Sequence, residues 1–121
     1  MKTNQTQKFR EIELQQGEAS ERYLEETLQR ARIEKKLPPW LLSWEHSKKW
    51  SAPDMSGIDF IIKTDKGDIK INVKSSRTFA KQFESRHRYE DIIPVVINIL
   101  EPPNQFLGRF ISLIAGIRKS M

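Results

Sequence analysis

Apolar and polar residues alternate with a period of two between Gly57 and Ser76, GIDFIIKTDKGDIKINVKSS. Ile58, Phe60 and Ile62 alternate with Asp59, Ile61 and Lys63. Ile69, Ile71 and Val73 alternate in turn with Asp68, Lys70, Asn72 and Lys74, so two strands are predicted. Asp65-Lys66-Gly67-Asp68 supplies the tight turn between them, with Gly67 able to take a positive φ that other residues resist. Upstream, Ser20, Leu24, Thr27, Leu28 and Ala31 fall on one narrow arc at about 100° per residue. This predicts a helix from Gln7, strongest between Gly17 and Lys36, with a stripe that packs on a sheet. Residues 1 to 5 are polar and expected to fray.

Further along, Pro38 and Pro39 stop the first helix. Trp40, Leu41 and Trp44 then predict a short second helix starting at Pro39, inside a tryptophan-rich connection over 37–56. A helix is expected from Thr78 to Arg88, with Phe79, Ala80, Phe83 and His87 inward and Lys81, Arg86 and Arg88 outward. Ile92 to Leu100 is a near-continuous apolar run of strand length, as in a strand covered on both faces. After the Glu101-Pro102-Pro103 break, Asn104 is the expected N-cap of a helix over 104–119. Gly108 and Gly116 leave a strand through Arg109 to Ile114 as the alternative. The order helix, strand, strand, helix, strand, helix predicts an α/β sandwich, a central mixed β-sheet flanked by helices, in a single domain over 1–121.

Charge adds a location to this outline. The chain of 121 residues carries a net charge of +5. Lys63 to Arg88 holds eight Lys and Arg against three acids, which accounts for that whole surplus. A polyanion such as nucleic acid is the natural partner of such a stretch. With no cysteine, disulfides, thiolate metal sites and thiol nucleophiles are excluded. No apolar run is long enough to span a bilayer or to serve as a signal peptide, so a cytoplasmic protein without membrane contact is expected.

The hairpin gathers the candidate chemistry. If Ile69, Ile71 and Val73 face the core, Asn72 and Lys74 emerge on the opposite face, with Asp59 near the start of the partner strand. An acid, an amide and an amine converge. This arrangement resembles the PD-(D/E)xK nuclease superfamily, in which one acid on the first strand precedes an acid-x-Lys on the second. Asp59 matches the first acid and Lys74 the lysine, while Asn72 stands where the family carries its second acid. Gly17-Glu18-Ala19-Ser20-Glu21-Arg22-Tyr23-Leu24 is similar to the opening helix of the archaeal Holliday-junction resolvases, a branch of that superfamily, with Glu21 as the matching acid.

The resemblance implies a restriction-endonuclease-like sandwich and a site that holds Mg²⁺, or Mn²⁺, between Glu21, Asp59, Asn72 and the Val73 carbonyl. In it, Glu21, Asp59, Asn72 and Lys74 would carry catalysis, and Lys74 would orient water and steady the phosphate. Lys70, Ser75, Arg77, Lys81, Arg86 and Arg88 would contact DNA, branched or single-stranded. The implied activity is structure-specific endonucleolytic hydrolysis of DNA. A catalytically silent DNA-binding relative and a protein-interaction module are the other readings the residues allow.

Several residues take plainer roles. Glu18, Glu25 and Glu26 read as a solvated face, and His46 as an exposed or satisfied histidine, since no second ligand sits at i+4. Trp40, Trp44 and Trp50 suit core burial more readily than stacking on bases. Phe106, Leu107, Phe110, Ile111, Leu113, Ile114 and Ile117 offer more apolar surface than one helix face needs, from which a homodimer is expected.

Overall fold

The stripe of Ser20, Leu24, Thr27, Leu28 and Ala31 is buried as predicted, on a helix α1 that spans Lys2–Ile33 and so takes in residues 2 to 5 as well. The computed structural model describes residues 2–48, 57–76, 78, 80, 81 and 91–121, with side chains described from residue 18 onward. Helix α1 closes in a left-handed residue, Lys35 at φ 57, and the Lys36 N–H returns to the Ala31 carbonyl at 2.8 Å. That bond satisfies a carbonyl the helix end leaves open, and the prolines beyond forbid another turn.

The segment after Pro39 is a strand, β1 (Leu41–His46), and the short helix expected there does not form. Its helix-like spacing has a local cause. A bulge between Leu41 and Ser43 brings Leu41 opposite Thr64 and Trp44 opposite Ile62, so residues three apart share one face of the sheet. Strands β2 (Phe60–Thr64) and β3 (Gly67–Lys74) form the predicted hairpin. Gly67 sits at φ 133 in its turn, and the Thr64 hydroxyl donates to the Gly67 carbonyl at 2.7 Å. Strand β4 (Ile92–Val96) runs parallel to β3 and completes a mixed sheet in the order β1-β2-β3-β4. It is shorter than the apolar run suggests, and among the described residues no further strand pairs with its other edge. Pro94, which has no N–H to give a ladder, is tolerated in such an edge strand. The chain turns at Asn98, whose Oδ1 accepts the Leu100 N–H at 3.0 Å, leaving Ile99 and Leu100 exposed.

Helix α2 (Pro103–Lys119) resolves the alternative at Arg109–Ile114 in favour of helix. Pro102 occupies the N-cap position that Asn104 was expected to hold, with no side-chain cap bond. Pro103 explains the change, since its fixed φ suits the first turn and its missing N–H needs no partner. Asn104 instead accepts from the Lys36 ammonium at 3.4 Å. The molecule is therefore α/β, with a four-stranded mixed sheet and two long helices among the described residues.

Leu24 and Leu28 of α1 and Phe106, Phe110 and Ile114 of α2 join one core cluster with Phe60, Ile62, Ile69, Ile71, Val73 and Val95, so both helices pack on one face of the sheet. Tyr23 ties them, its ring edge-on to Phe106 and its hydroxyl donating to the Glu101 carbonyl. Burial and the neighbouring Glu101 carboxylate raise the Tyr23 pKa, partly offset by Arg109. Four of the seven residues from which a dimer was expected are buried in this core, Ile111 and Ile117 are half-buried, and Leu113 keeps 37% exposure. The apolar surface that suggested a partner is largely spent within the chain.

Trp40 and Trp44 also pack against the core, each with a guanidinium over its ring: Arg118 at 5.2 Å and Arg32 at 4.2 Å. The Trp44 indole donates to Glu25 at 2.8 Å, so Glu25 is half-buried and does not belong to the solvated face expected for it. Trp50 and His87 lie outside the described residues. On the far face of the sheet, Lys63 meets Asp68 at 2.8 Å and Glu45 at 3.9 Å, a charge ladder over three strands. No described helix is long and apolar enough to cross a membrane.

Candidate functional site

Three strand termini meet at one end of the sheet: the end of β1 at His46, the start of β2 at Phe60 and the end of β3 at Lys74. Asp59 stands one residue before β2 and is pinned there by its backbone. Its N–H donates to the Ile71 carbonyl at 2.8 Å, and its own carbonyl accepts the Ser47 N–H at 2.9 Å. The Asp59 carboxylate then turns to β3, where Oδ2 accepts the Val73 N–H at 2.7 Å. The N–H and carbonyl of one residue in an extended strand point to the same side, so the Val73 carbonyl turns towards Asp59 as well. The Val73 peptide thus faces the edge of β3 on which Asp59 stands.

Asn72 differs from expectation. It does lie on the face opposite Ile71 and Val73, but it is only 4% exposed. Ile92, paired with Lys70 on the same face, is buried as well, and Asn72 does not emerge into solvent. The reason is local: its Nδ2 donates to the Gly57 carbonyl at 2.7 Å, drawing the segment before β2 across it. Its Oδ1 is buried and finds no donor among the described residues. Such an acceptor carries its desolvation cost uncompensated unless a donor or a cation meets it.

Glu21 projects from the border of the α1 stripe to the same end of the sheet. Its Oε1 lies 3.3 Å from Nε2 of His46, whose ring stacks on Phe60 with centroids 4.3 Å apart. His46 is exposed and has a partner, in keeping with the exposed or satisfied histidine read from the sequence, but that partner was not foreseen. No i+4 partner marks it, because its partner lies 25 positions away on another element. Lys74 pairs with Val96 in the β3–β4 register, and its carbonyl accepts the Ile97 N–H at 2.8 Å. Its side chain is half-buried on the same strand face as Asn72.

Of the residues expected to contact a polyanion, Lys70 and Lys81 are exposed and Ser75 is half-buried. Arg77, Arg86 and Arg88 lie outside the described residues. Thr78, Ala80 and Lys81 are helical, the Ala80 N–H returning to the Ser76 carbonyl at 3.1 Å, with Ala80 inward and Lys81 outward as predicted. Lys63 is committed to Asp68, which raises its pKa, so part of the local positive charge is neutralised within the sheet.

No group of three or more His, Cys, Asp or Glu side chains arranged for a metal is found among the described residues. At the end of β3, Asp59 and Asn72 carry side-chain oxygens and Val73 a backbone carbonyl, while the Glu21 carboxylate reaches the same end of the sheet beside His46. All are hard oxygen donors of the type Mg²⁺ and Mn²⁺ accept, and the orphaned Asn72 Oδ1 fits such an ion. No protein-family model matches this chain, and neither the curated proteins nor the solved structures contain a detectable relative.

Proposed function

We propose that this chain is a divalent-metal-dependent nuclease that hydrolyses DNA phosphodiesters and reads DNA structure rather than sequence. The observation that carries the reading is the buried Oδ1 of Asn72, to which none of the described residues donates, on the strand whose Val73 peptide faces Asp59. Glu21, Asp59, Asn72 Oδ1 and the Val73 carbonyl would hold the ion. Bound there, Mg²⁺ or Mn²⁺ would acidify water and neutralise charge on the phosphate. Asp59 is fixed through both its backbone and its carboxylate, so little reorganisation accompanies its use as a ligand. Lys74, two residues beyond Asn72 on the same face, would place a cationic donor against the phosphate that gains charge. Lys70, Ser75 and Lys81 would anchor neighbouring phosphates, with Arg77, Arg86 and Arg88 extending the contact.

The test is nicking of supercoiled and four-way-junction DNA in Mn²⁺. Asp59→Ala should abolish cutting and Lys74→Ala should slow it by about 100-fold, the range of a lost charge-stabilising donor, while both variants still bind DNA. A second reading, DNA binding without cleavage, draws on the absence of a third carboxylate in the set. Salt-sensitive binding with no Mn²⁺-dependent nicking would select it.

A further inference from the structure

Asn72 uses its two polar atoms for different purposes. Nδ2 donates to the Gly57 carbonyl at 2.7 Å. Turned over, the amide would set Oδ1 against that carbonyl, acceptor facing acceptor, so its orientation is fixed by the contact. Oδ1 must then point into the buried space where no described residue donates to it. Gly57, at φ 90, opens the short segment that delivers Asp59 to the start of β2.

We infer that Asn72 is a positioning residue: by holding the Gly57 carbonyl, its amide nitrogen fixes where Asp59 stands, while Oδ1 faces the ion as a neutral ligand. This rests on the metal-dependent reading above and deepens it. On this account the amide is no faded carboxylate. A carboxylate at position 72 cannot donate to Gly57, and in the ion-free protein it would set negative oxygen against the carbonyl in a buried place. An ion would offset that penalty by coordinating the added charge, whereas an apolar side chain of the same size would lose the Gly57 tie and offer the ion nothing.

Thermal unfolding of the wild type, Asn72→Asp and Asn72→Leu, each in EDTA and in Mn²⁺, tests this. In EDTA both variants should melt about 5–10 °C below the wild type, as for the loss of one buried hydrogen bond in a domain of this size. Mn²⁺ should recover most of that loss in Asn72→Asp and none of it in Asn72→Leu. If Asn72→Asp does not fold in EDTA, its refolding yield as Mn²⁺ is added reports the same recovery. Either variant melting with the wild type in EDTA would overturn the Gly57 tie. Equal recovery of both variants in Mn²⁺ would overturn the role of Oδ1. Water-proton relaxation of Mn²⁺ with the wild type judges the underlying reading separately: no uptake removes the ion and the Oδ1 role with it, while the EDTA melts still decide the tie.

Discussion

Asp65 and Arg118 form the best-aligned ion pair described in this chain, with both carboxylate oxygens 2.7 Å from guanidinium nitrogens. The pair joins the β2–β3 turn to the last turn of α2, and Arg118 also lies over the Trp40 ring. The Arg118 guanidinium holds the Asp65 carboxyl below its ordinary pKa. A carboxyl whose pKa is depressed by folding adds stability above its unfolded value, about 3.9, and loses it as pH falls through the lower folded value. Asp65→Asn should therefore melt lower than the wild type near neutral pH and lose less on going from about pH 6 to about pH 3. Parallel melting curves for the two proteins over that range would remove the pair from the acid response. Asp65 read only as a turn residue in the sequence, since its partner is 53 positions away and neither side chain announces the other. Asn72 was hidden differently. Period-two alternation tells which face a side chain takes, and it did so correctly, but it cannot tell what covers that face. Asp59 and Lys74 were legible because strand alternation and hairpin register suffice to place them.

Elements show the same division between local pattern and tertiary context. The α1 stripe, the hairpin and its Gly67 turn follow from spacing alone, and each stands where it was expected. Strand β1 does not, because its bulge reproduces helical spacing and only pairing with β2 settles the conformation. The end of β4 was misjudged because hydropathy counts Ile99 and Leu100 as buried, whereas the Asn98 side chain turns the backbone before them. Helix α2 carries two glycines with no atom within 4 Å of an added Cβ. Gly108→Ala and Gly116→Ala should each stabilise the protein by about 0.5–1 kcal/mol in denaturant unfolding, through helix propensity and a less disordered unfolded chain. At the end of α1 the sign of the substitution reverses: Lys35 occupies a left-handed conformation that suits glycine, so Lys35→Gly should stabilise by a similar amount, about 0.5–1 kcal/mol.

At the scale of the whole molecule, the two long helices among the described residues cover one face of a mixed sheet, and the candidate site occupies the end where β1, β2 and β3 meet. Because α2 contributes Phe106, Phe110 and Ile114 to the chain's own core, truncation after Pro103 should unfold the protein, seen as loss of its cooperative melting transition. Sequence spacing could not show this, since it reveals that α2 is apolar but not which surface receives it. DNA affinity should fall steeply with salt, and Lys70→Ala and Lys81→Ala should each lower the slope of log K against log salt by about 0.9 without creating a base preference. The proposed nuclease requires an ion site at this end of the sheet, built from two carboxylates, an amide and a carbonyl. Anomalous diffraction from a crystal soaked in Mn²⁺ examines that directly. A single peak within coordination distance of Asp59, Asn72 Oδ1 and the Val73 carbonyl, reached also by Glu21, is the predicted result, and a map with no peak there at millimolar Mn²⁺ would contradict it.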